Sequence, residues 1–294
     1  MGKAEKSFDK STEKVKKTLL EPKTYGEILE EQIESGLKEH QRNNSSLFIS
    51  GISAGLEVGF SVFLMGIIYT LFFETSSESA LHIALALSYP LGFIFVVIGR
   101  SELFTEHTTL AVVPVLNGST SVLSLIQLWG VVLLGNLIGG YFFGFVITLI
   151  APAMEIISYE AFLHLAQKMV EYDWDIILGS AIIAGWLMGL LSWLMNSSKD
   201  TISRIFMIIL VTATIGIGGL HHSVVGSIEV FAGLITSPEI TIDDYLQFQL
   251  LATLGNIIGG VFFVAVVKFS HVKRSENDLH FHKHKRKNKN KKNK

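Results

Sequence analysis

Six apolar blocks dominate the chain, at roughly 47–73, 79–115, 121–151, 174–196, 204–235 and 247–270. Each reaches the roughly 20 residues that a helix needs to cross the hydrocarbon of a bilayer. Blocks one, four and six have the length of single spanning helices. The third is continuous but long, which predicts tilt or an extension past the bilayer. The second and fifth are longer and interrupted, by GRSELFTEHTT (99–109) and GGLHHSVVGS (218–227). The pattern therefore predicts an all-α integral membrane protein with two of its helices broken.

A repeat underlies the pattern. GNLIGG at 135–140 recurs as GNIIGG at 255–260, 120 residues further on. Block one reads GISAGLEVGF (51–60), with Gly51, Gly55 and Gly59 on one face. Block four reads GSAIIAGWLMG (179–189) and is similarly rich in small residues. The interruptions of blocks two and five fall in matching places. The chain thus reads as two three-span units, 47–151 and 174–270, the second inverted because three is odd. Matched broken helices expose backbone amides and carbonyls toward a cavity near the midplane, and glycines four apart let helices approach closely.

Composition agrees: 49% of residues are hydrophobic and 17% charged, with a mean hydropathy of +0.45. The charges collect at the ends. Residues 1–46 mix Lys and Glu, and the 271–294 tail closes on HKHKRKNKNKKNK. The net charge of −2 averages these ends and points to no nucleic-acid partner. Without cysteine there is no disulfide framework and no thiol catalysis. The charged start lacks the apolar core of a cleaved signal peptide. Lys and Arg fall in the head, in NSSKDTISR (196–204) and in the tail, whereas ETSSES (74–79), the 152–173 loop and SPEITIDD (237–244) are acidic or nearly free of cations. That bias predicts a multi-pass protein of the inner (plasma) membrane with both termini cytoplasmic. Within the head, TYGEILEEQIESGLKEH (24–40) predicts an amphipathic helix carrying Ile28, Leu29, Ile33 and Leu37 along the cytoplasmic face. The tail reads as a disordered basic segment drawn to anionic headgroups, rather than a metal site of His280, His282 and His284.

Ionisable groups at membrane depth are costly and mark function. The second block holds Arg100, Glu102, Glu106 and His107 with Ser101 and Thr105, the fifth holds His221, His222 and Glu229, and the first Glu57. Arg100 beside Glu102 suggests a charge-neutralising pair that holds the broken loop. Glu57 and Glu229 read as interfacial or helix-capping groups. His221 and His222, about 100° apart on a helix, cannot line one pore together: one faces the conduit and the other packs against a neighbour. An imidazole with pKa near 6.5 can exchange a proton at physiological pH.

Taken together, RSELFT at 100–105, GLHHS at 219–223 and the two GN-I/L-x-G motifs resemble the formate/nitrite transporter family over about 45–270. The resemblance implies an aquaporin-like six-span bundle, assembled as a homopentamer with one pore per protomer. It implies transport of small monovalent anions (formate, nitrite, acetate, lactate or hydrosulfide) with a proton, and neither enzymatic activity nor a cofactor or metal. It makes His222 the central pore histidine, Thr105 its hydrogen-bonding threonine and Lys168 a vestibule cation. Leu103, Phe104, Phe93, Tyr89 and Ile215 become constriction residues, with Arg100, Glu102, His221 and Ser223 supporting the loops or the selectivity. The chain departs from the family pattern at His221 (for glutamate), Gly226 and Gly185 (for asparagines) and Arg100 (for glycine).

The implied mechanism moves the anion as its neutral acid, because an ion crosses a dry constriction only at large cost. Lys168 and broken-helix amides concentrate the anion, a proton arrives through His222 or water touching it, and Thr105 orients the ring. Alternatives are a pore for neutral small solutes, a bis-histidine haem protein, for which His82, His107 and His164 offer no matched pair, and a membrane scaffold, which needs no helix breaks.

Overall fold

The computed structural model describes residues 22–266 and 268–270, so the far ends of the head and tail, including His280, His282 and His284, lie outside the described residues. Helix α1 (Tyr25–Gln41) starts at a capping box: Thr24 accepts from the Glu27 amide, and Glu27 accepts in return from the Thr24 amide. Those hydrogen bonds hold the Glu27 carboxyl below its ordinary range. The helix buries Ile28 and Leu29.

Four further helices run uninterrupted through apolar sequence: α2 (Asn44–Phe72), α7 (Val122–Ala153), α9 (Trp174–Ser197) and α12 (Ile242–Ile258), the last continuing as a π-helical stretch over Gly259–Val266. In the second block, α3 (Glu78–Ser88) and α4 (Pro90–Gly99) join through Tyr89 into one rod. Irregular backbone over 100–103 separates that rod from α5 (Phe104–Leu110) and α6 (Val112–Leu116). In the fifth block, α10 (Thr201–Ile217) stops at Gly218 and α11 (Val225–Thr236) starts after irregular backbone. Amphipathic α8 (Tyr159–Val170) links α7 to α9. Among the described residues, five segments are long and apolar enough to cross a membrane, including α3–α4 as one, whereas α10 and α11 are each shorter, as expected for a broken helix. The 32 residues of α7 span about 48 Å, well beyond the ~30 Å hydrocarbon layer.

Each break turns on one left-handed residue. Arg100 has φ 62° and ψ 36°, and Gly219 has φ 57°. This backbone conformation is free for glycine but costs other residues about 1–2 kcal/mol. It explains why glycine is the family pattern at the Arg100 position.

Small residues bring the helices together. An added Cβ at Gly55 would strike the Asn136 carbonyl, and one at Gly139 would meet Ile52 backbone carbon atoms at 2.9 and 3.1 Å, so α2 and α7 cross backbone to backbone. Gly185 and Gly259 do the same for α9 and α12: a Cβ on Gly185 would lie 2.6 Å from the Asn256 Cα, and one on Gly259 would lie 2.7 Å from the Trp186 amide. No asparagine side chain fits at 185 while α12 lies this close. At 226 the space is taken by Phe248, whose ring would be 2.5 Å from an added Cβ. Two departures from the family pattern are thus filled by packing. Overpacking such a crossing costs about 1–3 kcal/mol. Gly139→Ala is therefore expected to lower the melting temperature of the detergent-solubilised protein. Gly130→Ala, which meets nothing within 4 Å, is expected to leave it unchanged or higher.

Candidate functional site

Both breaks are held by the same arrangement of hydrogen bonds. Asn136 on α7 accepts from the Phe104 amide at 2.8 Å and donates to the carbonyls of Gly51 (2.9 Å) and Glu102 (2.7 Å). Asn256 on α12 accepts from the Ser223 amide at 2.9 Å and donates to Ala181 (2.8 Å) and His221 (3.0 Å). A serine completes each set: Ser50 accepts from the Glu102 amide at 3.2 Å, and Ser180 from the His221 amide at 3.1 Å. Irregular backbone at membrane depth must satisfy its polar groups within the protein, and these two amides do so. Each asparagine is the polar residue of its GN-I/L-x-G motif, the one local signal that points to it.

Between the breaks, Thr105 Oγ1 and His222 Nε2 lie 2.8 Å apart, and both residues are fully buried. The ring's other nitrogen, Nδ1, accepts from the amides of Val224 (3.3 Å) and Val225 (3.2 Å). An accepting Nδ1 places the proton of the neutral ring on Nε2. Nε2–H therefore donates to Thr105, whose hydroxyl proton is left for another acceptor. With both ring nitrogens engaged, a proton can pass through His222 only if one of these bonds opens. Phe93 meets the ring edge-on at 5.2 Å, and Tyr89 lies 5.3 Å from Phe93.

A cavity of 910 Å³ opens toward the 73–79 and 152–173 connections, lined by Tyr89, Ile215, Leu220, His164, Lys168 and Glu229 among others. Lys168 pairs with Glu171 at 3.0 Å. That hydrogen bond raises the lysine above its ordinary value and keeps it charged. Burial, followed by the Lys168 charge, holds His164 below its ordinary value. Because Lys168 and Glu171 are both half exposed, their bond is worth at most about 1 kcal/mol. Tyr89 and Ile215, expected at a constriction, line this cavity; Phe93, Leu103 and Phe104 are fully buried and do not. Phe104 packs instead toward Trp129, at 6.4 Å.

The remaining polar residues separate. His221 does not line the cavity: its Nδ1 lies 2.8 Å from Ser180 Oγ, and its ring packs near Tyr172 and Phe248. The Ser223 hydroxyl is buried with no partner among the described residues. Arg100 and Glu102 do not pair as expected. Glu102 binds Arg42, delivered from the end of α1, and His107. Arg100 makes no ion pair among the described residues and lines a shallow second recess with Arg42, Ser50 and Ser53. The left-handed turn at Arg100 points successive side chains apart, so neighbours in sequence do not meet. Glu57 accepts from Ser53 (2.8 Å) and Ser101 (2.9 Å) rather than capping a helix. Glu229 is buried on the cavity wall. No metal-ligating cluster occurs among the described residues.

Comparison with known proteins matches residues 26–270 to the family described as formate/nitrite transporter. The chain is 32% identical over 243 residues to the inner membrane protein YfdC of Escherichia coli, covering 82% of this chain and 76% of that one. It is 30% identical over 244 residues to the formate channel FocA of Haemophilus influenzae, covering 74% and 84% respectively. A solved pentameric formate channel with formate bound shares the fold, with a TM-score of 0.66 at 20% identity, over 78% of this chain and 97% of that one.

Proposed function

This chain belongs to the formate/nitrite transporter family, and from that premise we propose that it conducts small monovalent weak-acid anions across the membrane together with a proton. Its body is read as two inverted three-span repeats with the second and fifth spans broken, and its assembly as a homopentamer with a pore in each protomer. The observation that carries the proposal is the buried Thr105–His222 hydrogen bond, which joins the two breaks and connects through Phe93 and Tyr89 to the cavity.

The route runs from the cavity past Tyr89 and Phe93 to Thr105 and His222. Lys168 exchanges Glu171 for the arriving anion and raises its local concentration. The apolar wall admits an ion only at large cost and its neutral acid at much less. In the slit, the Thr105 hydroxyl donates to the solute while His222, held by the Val224 and Val225 amides, fixes the direction of that hydroxyl. Proteoliposomes offered formate, acetate, lactate, nitrite and hydrosulfide at two pH values test this reading. Uptake of at least one weak acid should exceed that of protein-free vesicles and should rise as the external pH falls. Absence of uptake across the whole panel would contradict it.

A further inference from the structure

The mechanism above needs a proton source near the slit, and His222 has both nitrogens committed. One carboxyl on the cavity wall has no such commitment. Glu229, on α11, is 4% exposed and makes no hydrogen bond or ion pair among the described residues, yet its side chain lines the 910 Å³ cavity. Around the same cavity stand Tyr89, Glu78 and His82 from the second block, and His164, Lys168 and Tyr172 from the segment containing α8. None of the cations reaches Glu229: Lys168 pairs with Glu171, and His82 Nε2 binds the Ile217 carbonyl at 2.8 Å. Beyond α11, Tyr141 and Tyr245 bond to each other and Tyr141 to Ser227, so they too are engaged.

Two carboxylates in one poorly solvated site cannot both stay ionised, and a shared proton resolves the repulsion. An anion descending toward Phe93 creates that situation beside Glu229. We propose that Glu229 is the proton donor that converts the incoming weak-acid anion into its neutral acid before the slit. The proton leaves a Glu229 carboxyl oxygen for a carboxylate oxygen of the substrate, and the neutral acid passes Phe93 and Thr105. The Glu229 carboxylate regains a proton from water in the open cavity, and the acid dissociates on the far side. Each cycle moves one anion and one proton in the same direction. Ionised Glu229 repels the next anion until it is reprotonated, which ties the rate to the pH on the cavity side.

This inference rests on the weak-acid pore reading and is tested with formate, or the best-transported weak acid of the panel, in proteoliposomes containing a trapped pH dye. Wild type should take up one proton per anion. Glu229→Gln, nearly isosteric but unable to donate an acidic proton, should lose at least tenfold in uptake at acidic pH and lose the rise of uptake with falling pH. Glu229→Asp should retain that pH dependence at a lower rate. A Glu229→Gln protein with wild-type rate and pH profile overturns the proposal and leaves the pore reading standing, whereas an inactive wild type overturns both. If Glu229→Gln fails to elute as the wild-type oligomer, correctly assembled Glu229→Asp decides: a flat pH profile in that variant overturns the proposal.

Discussion

His222→Phe is expected to reduce weak-acid uptake at least tenfold while leaving the protein assembled. The ring is fully buried, so a side chain of similar volume fills the site. What phenylalanine cannot do is accept from the Val224 and Val225 amides or donate to Thr105. Each buried group left unsatisfied costs about 1–3 kcal/mol, and the freed Thr105 hydroxyl is no longer directed at the solute. A barrier raised by only 1.4 kcal/mol lowers a rate about tenfold. The assay is initial uptake of labelled formate, or the best substrate, at acidic pH, alongside size-exclusion elution. Uptake equal to wild type would show that the histidine is a packing residue and not part of the route. Thr105→Val, which keeps the shape and removes the hydroxyl, should fall in the same direction.

The largest effect on stability is expected at the two asparagines. Asn256→Leu would orphan the Ser223 amide and the His221 carbonyl in one substitution, at a depth where no bulk water can replace them, and would remove the second bond to the helical Ala181 carbonyl. At about 1–3 kcal/mol for each of the two orphaned groups, the loss is a large share of the 5–15 kcal/mol that holds a typical protein folded. The variant should therefore melt far below wild type or fail to yield folded oligomer, and Asn136→Leu should do the same at the other break. Asn256→Asp keeps the acceptor but sets a buried carboxylate oxygen against the Ala181 and His221 carbonyls, so it should not restore wild-type stability. Thermal unfolding followed by size-exclusion chromatography reads the order directly. A melting temperature for Asn256→Leu indistinguishable from wild type would mean that the break is held by something other than this side chain.

These two positions show where the sequence was sufficient and where it was not. The apolar blocks, the interruptions at 99–109 and 218–227 and the GNLIGG and GNIIGG repeat anticipate the helices, the breaks and the close α2–α7 and α9–α12 crossings. Hydrophobic length and glycine spacing are local properties, readable one segment at a time. Glycine spacing accounts for the motif by itself, however, and nothing local assigns a role to the polar residue inside it. An amide between glycines carries no sign of which distant backbone groups it will satisfy. The histidine pair was resolved only in part. The separation of about 100° expected on a helix does not apply, because both histidines lie in irregular backbone between α10 and α11, and it is the positions of Ser180 and Thr105 that part His221 from His222.

Charge pairing was the least legible feature. Adjacency suggested Arg100 with Glu102, yet a left-handed Arg100 parts their side chains, and Glu102 meets Arg42 from α1 together with His107. Glu229 read as interfacial because nothing near it in sequence distinguishes it. Only the meeting of α3, α8 and α11 around one cavity shows that it lines that cavity while the Lys168 ammonium is paired with Glu171. The sequence alone therefore determined a membrane-embedded helical protein with two broken spans and a family membership, because those follow from hydrophobic length and short motifs. The tertiary structure decided which buried polar groups are spent on holding the breaks and which stand beside the cavity without a hydrogen-bond partner among the described residues. That division depends on partners dozens of residues away, brought within hydrogen-bond reach only by the crossing of the helices.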